Sequence, residues 1–532
     1  MRYPVESFTP AEREILAPHF TNLDRPVFCL TNLSETVKGA LFARYSRWGG
    51  TLRRLFLEEF AGDVPEGARP LDGKEGERAA RLYERVFSGF GDDSIAQLGG
   101  VHLACEWASN VLTKILQRGR LAAYLEQSTR YIPYDQPMPG GGFRYYRDEE
   151  LGPAYAEAMD EIFAAYSTGL ELVQRWAAER WPRRDEPERA WERSIRAKAL
   201  DLMRGLLPAS TLSHVGIFAT GQAYEQLLLR LYASPLPEAR AYGELIHAEL
   251  KKVIPSFVAR VERPDRGGEW IDYLRRRREA TERAVARLGL DRREGEAAPS
   301  VELVHVDGDE ADLLAASLFE RSGTSELEIR DRVAALDPVE RGELIAELAG
   351  ERRNRRHRPG RGWEAVRYRF EIVSDYGGFR DLQRHRMLTC QWQRFSPDLG
   401  AEVPEEVEEA GAGDLYRRGL ERSAAEFRRL EAQGLVEQAP YALCLGYRIR
   451  YILDMNAREA MHVCELRSGR EGHPTYRAVA QAMHDRIAAV HPAIAAAMSF
   501  VDTSVEPRLE RIMAEIRAHR KQLARRAEAS AS

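Results

Sequence analysis

The feature that most limits the possible folds of this chain is a short motif that occurs twice, half a chain length apart. The sequence LQRGR at 116–120 and the sequence LQRHR at 382–386 lie 266 residues apart in a chain of 532. A basic residue precedes each motif at the same offset, as Lys114 and Arg380. Because similarity at a fixed period marks duplicated units, we predict two diverged copies of one unit of about 250 residues.

A polar stretch near the middle of the chain supports this division. The sequence DRREGEAAPS is typical of a linker. We therefore predict a first domain over residues 1–290, a linker over 291–300 and a second domain over 301–532. Helical spacing of apolar residues also predicts a helix over 440–466.

Composition excludes several classes of protein. The chain has 78 Lys+Arg and 83 Asp+Glu, a formal net charge of −5. We therefore do not expect a general nucleic-acid-binding protein, which needs a strongly basic face. The five cysteines form no CxxC pair, which indicates reduced thiols and a cytoplasmic location. The longest apolar run, 487–501, is shorter than the roughly 20 residues of a membrane-spanning helix, so no membrane association is expected.

Two clusters of side chains suggest chemistry. The first contains Arg118, Glu126, Ser128 and Arg130, whose arginines and hydroxyl suit an anionic ligand through charge-assisted hydrogen bonds. The alternative is a solvated loop whose surface ion pairs contribute little. The second is Arg384-His385-Arg386, in which two cations flank an imidazole, as suits a cofactor diphosphate, although such triplets also occur as plain surface patches.

The basic run ERRNRRHRPGRG at 351–362 is a third feature. It suits RNA or a polyphosphate, and the alternative is a solvated loop near the phosphates of a cofactor.

Taken together, the two clusters resemble the signature of flavin-dependent thymidylate synthases, in which RHR is followed by Ser-x-Arg-Tyr. The first copy keeps EQSTRY at 126–131 but has Gly119 in place of the central histidine. The second copy keeps RHR but has QWQRFSPD at 391–398, without Ser-x-Arg-Tyr. Each copy therefore keeps a different part of one signature.

The resemblance extends to further positions and implies roles for them. His462 stands where the family has asparagine, and Thr129 where it has a small glycine. The implied catalytic residues are Ser128, Arg130 and Arg384. The implied nucleotide-binding residues are Arg118, Glu126, Ser128, Arg130, Arg204, Arg230 and Arg467. The implied flavin-binding residues are Ser46, Glu364, Arg384, His385, Arg386, Asn456, Arg458 and His462.

What the family does gives the functional expectation. The resemblance implies an α+β fold with two tandem domains, each a small antiparallel sheet packed with long helices. It also implies conversion of dUMP to dTMP with methylenetetrahydrofolate and NADPH-reduced FAD, without a metal. Because the family enzyme is a homotetramer, a two-domain chain predicts a homodimer that mimics it, with a composite site formed by the two halves. The alternatives are a non-catalytic flavin- or nucleotide-binding descendant and an RNA-binding protein that uses the run at 351–358.

Overall fold

The computed structural model describes residues 3–33, 35–63, 97, 99–138, 141–292, 295–505 and 508–531. Residues 293 and 294 of the predicted linker lie outside this set. Contacts divide the chain into two compact units, each assembled from three segments. Unit 1 comprises 1–168, 206–293 and 415–444, and unit 2 comprises 169–205, 294–414 and 445–532. The predicted domain limits, 1–290 and 301–532, stay a prediction.

The described strands are β1 (Val27–Leu30), β2 (Gly100–Ser109), β3 (Ala122–Glu126), β4 (Leu212–Thr220), β5 (Ser300–Asp307), β6 (Arg367–Asp375), β7 (Thr389–Trp392) and β8 (Arg448–Asn456). The described helices are α1 (Pro10–Leu16), α2 (Glu35–Tyr45), α3 (Leu52–Glu59), α4 (Asn110–Leu116), α5 (Gly152–Arg180), α6 (Glu188–Met203), α7 (Gly221–Tyr232), α8 (Pro237–Val253), α9 (Pro255–Val258), α10 (Glu269–Arg287), α11 (Glu310–Phe319), α12 (Glu326–Ala334), α13 (Pro338–Ala349), α14 (Tyr376–Leu382), α15 (Glu405–Glu409), α16 (Gly413–Ala432), α17 (Ala457–Arg467), α18 (Pro474–Val490), α19 (Pro492–Ala496) and α20 (Ile512–Ala531).

The two units contain sheets of the same design. Unit 1 has a four-stranded antiparallel sheet in the order β1-β2-β4-β3, and unit 2 has one in the order β5-β6-β8-β7. In each sheet the second strand leads into a short helix, α4 or α14, and these helices lie 266 residues apart. The predicted α+β class is confirmed, and the shared strand order is what a duplicated unit requires.

The predicted helix over 440–466 is wrong in its first part. Arg448–Asn456 forms β8, which pairs with both β6 and β7. Tyr451, Leu453 and Met455 are buried at alternate positions along it. Pairing on both edges and packing of one face fix this strand, and apolar content alone does not distinguish it from a buried helix.

Each central strand passes directly into a helix through a capping side chain. The Oγ of Ser109 accepts a hydrogen bond from the Leu112 amide at the start of α4. Asp375, Thr220 and Asn456 cap α14, α7 and α17 in the same way. Such caps satisfy amides that have no partner within the helix, and they fix where each helix, and the turn after it, begins.

Among the described helices, none has the length and apolar content needed to cross a bilayer.

Candidate functional site

In unit 2, the Arg384-His385-Arg386 turn directly follows α14. His385 is buried, with 8% of its surface exposed, whereas Arg384 and Arg386 are exposed. The imidazole is therefore held inside the unit while the guanidinium groups on either side face solvent. Anionic ligands can reach these two cations without displacing His385.

The imidazole of His385 is held by side chains of α17. Arg467 donates a hydrogen bond from Nε to Nε2 of His385 at 2.8 Å. On the other side of the ring, Nδ1 lies 3.4 Å from Oε1 of Glu459. Because Nε2 accepts from Arg467, the single proton of the neutral ring belongs on Nδ1, facing Glu459.

The environment keeps this cluster from gaining charge. Burial, followed by the positive charge of Arg467, lowers the pKa of His385 well below its ordinary value. Burial also raises the pKa of Glu459 to about 7, against the opposing effect of Arg358 and Arg458. His462 packs edge-on against His385, with ring centroids 5.4 Å apart. Its pKa is lowered to about 4 by burial and by nearby arginines.

The donor atoms of His385, Glu459 and His462 lie within 4.8 Å of one another. Two imidazoles and a carboxylate are the donor types of a transition-metal site. A metal-bound imidazole, however, normally directs its second nitrogen as a donor to an acceptor, whereas here Arg467 donates to that position. The surrounding guanidinium groups add further positive charge. We therefore interpret the cluster as two neutral imidazoles held by hydrogen bonds and packing beside Glu459.

Asp381 links two of the residues singled out from the sequence. Nη1 of Arg204 lies 3.0 Å from Oδ2 of Asp381, and the side chains are 4% and 13% exposed. The other carboxylate oxygen of Asp381 accepts from Arg384. The lack of a side chain at Gly377 leaves room for the Arg204 guanidinium, because a Cβ there would lie 3.1 Å from Nε of Arg204. Arg204, in the first half of the sequence, thus belongs to unit 2 beside the RHR turn.

The remaining predicted flavin-binding residues of unit 2 lie at or beside the start of α17. Asn456 caps this helix through a 2.9 Å hydrogen bond from the Glu459 amide to its Oδ1. Nη1 of Arg458 lies 3.6 Å from Oε1 of Glu364, and Glu364 also forms an ion pair with Arg361. Glu364, Arg458 and Asn456 are therefore neighbours in space as well as members of the predicted set.

Sequence reasoning missed Asp381 and Glu459. Asp381 lies three residues before Arg384 on the last turn of α14, and Glu459 lies three residues before His462 on α17. On a helix, residues three apart share a face. That spacing was the signal available in the sequence for Glu459, whereas Arg384 lies in the turn after α14 and its contact with Asp381 depends on the path of that turn.

In unit 1, Ser46 and Ser128 are brought together. The backbone amide of Ser128 donates to the carbonyl of Ser46 at 3.1 Å, just after the end of α2. The Oγ of Ser128 accepts a 3.2 Å hydrogen bond from the amide of Arg130. The guanidinium of Arg47 lies over the ring of Tyr131, 4.9 Å from its centroid. The turn after β3 is thus fixed against the end of α2.

Two other predicted residues of unit 1 have different surroundings. Glu126 forms a 3.2 Å ion pair with Lys114, and both side chains are almost fully buried. Arg118 is exposed, as is Arg120. The two arginines of RGR therefore resemble those of RHR in their exposure, while Glu126 is neutralised inside the unit.

The position of the missing histidine is filled by other side chains. A Cβ at Gly119 would lie 2.7 Å from Oη of Tyr124 and 3.4 Å from Nη2 of Arg230. The Tyr124 hydroxyl donates to the Gly119 carbonyl at 3.1 Å. Arg230, on α7, thus lies beside Gly119 as Arg467, on α17, lies beside His385. Among the described residues of unit 1, no imidazole takes the place of His385.

The arginine-histidine-arginine turn of unit 2 and its unit 1 counterpart thus each follow the second strand of a four-stranded antiparallel sheet and the short helix after it. The sequence profile of the family described as "Thymidylate synthase complementing protein" matches residues 54–256 and 306–493. The chain belongs to this family, that of the flavin-dependent thymidylate synthases, with the matched domain split across two regions. The resemblance predicted from the motifs is confirmed.

Two curated relatives match nearly the whole chain. A UPF0159 protein from Chlamydia muridarum is 36% identical over 533 residues, covering 96% of this chain and 98% of its own length. A UPF0159 protein from Chlamydia pneumoniae is 36% identical over 512 residues, covering 94% of this chain and 96% of its own length. A solved structure of a UMP/dUMP methylase from Streptomyces cacaoi bound with 5-Br dUMP shares 20% identity, covers 40% of this chain and 100% of its own length, and has a TM-score of 0.33.

Proposed function

We propose that the protein is a thymidylate synthase-like methyltransferase that converts dUMP to dTMP with methylenetetrahydrofolate and NADPH-reduced FAD. Membership of the family supports the reaction class. The observation that carries the proposal is the link from Arg204 through Asp381 to Arg384, next to the buried His385. It assembles family motif residues that lie 180 positions apart in the sequence.

The charges of this arrangement suit a nucleotide. Arg204 uses Nη1 on Asp381, while its Nη2 is buried without a hydrogen-bond partner among the described residues. A buried donor without a partner costs stability, and a phosphate or carbonyl oxygen of a ligand offers the missing acceptor. Asp381 fixes the direction of Arg384, so that less conformational freedom is lost when a ligand binds.

The residues of unit 2 also fit a flavin dinucleotide. Arg384 and Arg386 would hold its phosphates. Because His385 is neutral, an isoalloxazine ring bound beside it would not have to remove water from a charged group. When bound, FAD supplies the reducing equivalents of the reaction. The protein's own contribution is orientation and charge stabilisation by fixed guanidinium groups.

In unit 1, the Ser128–Tyr131 turn would hold the pyrimidine. The amide of Arg130 is fixed by the Oγ of Ser128, which orients the start of the Arg130 side chain. Its guanidinium would then meet a uracil carbonyl or the phosphate by a charge-assisted hydrogen bond. Thr129, within this turn, is buried at a position where the family has a smaller residue.

The test is flavin content and turnover of the purified protein. We expect the absorbance spectrum of a bound flavin and NADPH oxidation that depends on dUMP and is accompanied by dTMP formation. Arg384→Gln should lower dTMP formation by about tenfold or more, because a charge-assisted contact is lost. Arg321→Gln, at another exposed arginine of unit 2, should leave it unchanged.

A protein that binds dUMP but contains no flavin and forms no dTMP would contradict the proposal. The non-catalytic, nucleotide-binding alternative would then hold. The filling of the histidine position at Gly119 is the observation that favours that alternative.

A further inference from the structure

The basic run at 351–362, here called the basic loop, is held in place by a buried ion pair. Nη1 and Nη2 of Arg352 lie 2.6 and 2.5 Å from the two carboxylate oxygens of Glu465 on α17. The two side chains are 4% and 1% exposed. Arg352 also donates from Nη1 to the Ala497 carbonyl at 2.9 Å, just after α19. The loop is thus anchored at its first arginine.

Further hydrogen bonds order the rest of the loop. Nε of Arg352 donates to the His357 carbonyl at 2.7 Å, which closes the segment between them. The Oδ1 of Asn354 accepts from the Arg356 amide at 2.9 Å. Nε of Arg458, on α17, donates to the Pro359 carbonyl at 2.9 Å. Both ends of the loop are therefore tied to α17, the helix that holds His385.

The arginines of the ordered loop differ in whether a carboxylate pairs with them. Arg352 forms an ion pair with Glu465, and Nε of Arg353 lies 3.5 Å from Oε1 of Glu351. Arg355, Arg356 and Arg358 form no ion pair with any carboxylate among the described residues. Of these three, Arg355 is the partly buried one and Arg358 adjoins Pro359, whose carbonyl is bound by Arg458 of α17.

The contacts of Arg352 with Glu465 and of Pro359 with Arg458 hold this part of the loop against α17, on either side of His462 in that helix. The positive charges of Arg355 and Arg358 also contribute to the lowered pKa of His462.

The region around His462 is therefore strongly positive. Arg358 acts on His385, Glu459 and His462, and Arg467 acts on both histidines. The cluster itself contributes one carboxylate, Glu459, against the guanidinium groups of Arg355, Arg358 and Arg467. A concentration of fixed positive charge in one place attracts an anion.

We propose that Arg355 and Arg358 of the basic loop form a subsite for the diphosphate group of a nucleotide ligand, next to His462. A diphosphate carries enough charge and enough acceptor oxygens to engage two arginine forks together. The subsite lies outside the motif residues that the resemblance supplies. It deepens the proposed function, since FAD and NADPH are both diphosphate-bearing ligands of that reaction, but binding at the subsite does not require turnover.

The test is isothermal titration calorimetry of the full-length protein with inorganic pyrophosphate. The double variant Arg355→Gln/Arg358→Gln should raise the Kd for pyrophosphate by about tenfold or more, because two charge-assisted contacts are lost. The matched control Arg353→Gln/Arg356→Gln removes the same charge from the same loop and should change the Kd by less than about threefold. Both variants keep Arg352 and so keep the loop anchored.

Titrations with FAD and with NADP+ identify the source of the diphosphate. A loss of affinity for one of them in Arg355→Gln/Arg358→Gln, but not in the control, assigns the subsite to that ligand. Equal weakening in both double variants would show general attraction by charge and overturn the proposal. Binding of single-stranded RNA with a steep salt dependence, without pyrophosphate binding, would overturn it in favour of an RNA-binding loop.

Failure of the diphosphate subsite and failure of the proposed synthase reaction give different results. If dTMP is not formed but pyrophosphate binding depends on Arg355 and Arg358, the subsite stands without the synthase reaction. If dTMP is formed and the double variant binds pyrophosphate normally, the reaction stands and the subsite does not.

Discussion

Arg467 and His385 are joined by a hydrogen bond in which Nε of the arginine donates to Nε2 of the imidazole at 2.8 Å. The bond determines the tautomer of His385 and opposes its protonation, since a positive charge already lies at the ring. A neutral imidazole between two exposed arginines is thus a consequence of α17 and not of the RHR triplet alone.

The first prediction concerns that hydrogen bond. Arg467→Gln should raise the pKa of His385 towards its ordinary value, because the second-largest cause of its lowering is removed while burial remains. The measurement is an NMR pH titration of protein with isotopically labelled histidine, with the His385 signal assigned from His385→Gln. The control is Arg470→Gln, which removes an exposed arginine paired with Asp502. An unchanged His385 titration in Arg467→Gln would contradict the assigned geometry.

The second prediction concerns Glu459 and pH. Its pKa is raised from 4.5 to about 7 in the folded protein, so its contribution to stability is present below pH 4.5 and is lost as the pH rises through 7. Glu459→Gln stays neutral at every pH. At pH 8 the variant should therefore exceed the wild type in free energy of unfolding by about 1–3 kcal/mol, and the difference should shrink to less than about 1 kcal/mol near pH 5.

Urea unfolding at both pH values measures this difference. Comparison with the wild type removes the contribution of Glu238, whose pKa is also raised to about 7 by burial. Glu421→Gln, at an exposed position, serves as the matched control. A difference between Glu459→Gln and the wild type that is the same at pH 5 and pH 8 would show that Glu459 does not titrate as described.

The third prediction concerns the anchor of the basic loop. Removing one partner of the buried pair, as in Arg352→Met, should lower the free energy of unfolding by about 3–5 kcal/mol, because Glu465 is left as an uncompensated buried charge. The double variant Arg352→Met/Glu465→Leu should recover much of that loss, since both charges are gone.

Denaturant unfolding of the single and double variants measures the coupling between the two residues. Arg353→Met removes the arginine of an exposed pair in the same loop and should cost less than about 1 kcal/mol. If Arg352→Met costs no more than Arg353→Met, the buried pair does not anchor the loop.

The fourth prediction concerns the filled position in unit 1. Gly119→Ala should destabilise the protein by about 1 kcal/mol, because the new methyl group meets the Tyr124 hydroxyl at 2.7 Å. The same substitution in a Tyr124→Phe background should cost less, since the hydroxyl is absent. Gly39→Ala, in α2 with no atom within 4 Å of its Cβ, should instead stabilise the protein. Thermal unfolding distinguishes these cases, and equal effects of Gly119→Ala in both backgrounds would contradict the described crowding.

The sequence by itself determined the period and the chemistry of the chain. The LQRGR and LQRHR motifs predicted a repeat of 266 residues, which the matching helices α4 and α14 display. The same motifs indicated the family, which the match over both halves confirms. These features are local strings of residues, so they can be recognised without knowledge of which segments pair.

Only the tertiary structure decided which of those residues meet. It made Arg448–Asn456 a strand, because two neighbouring strands pair with it. It placed Arg204 beside Asp381 and Arg384, and it turned Glu459 and Arg467 towards His385. These relations join segments far apart in the chain, and the free energy that fixes them comes from burial and from long-range pairing, neither of which is encoded in the spacing of a motif.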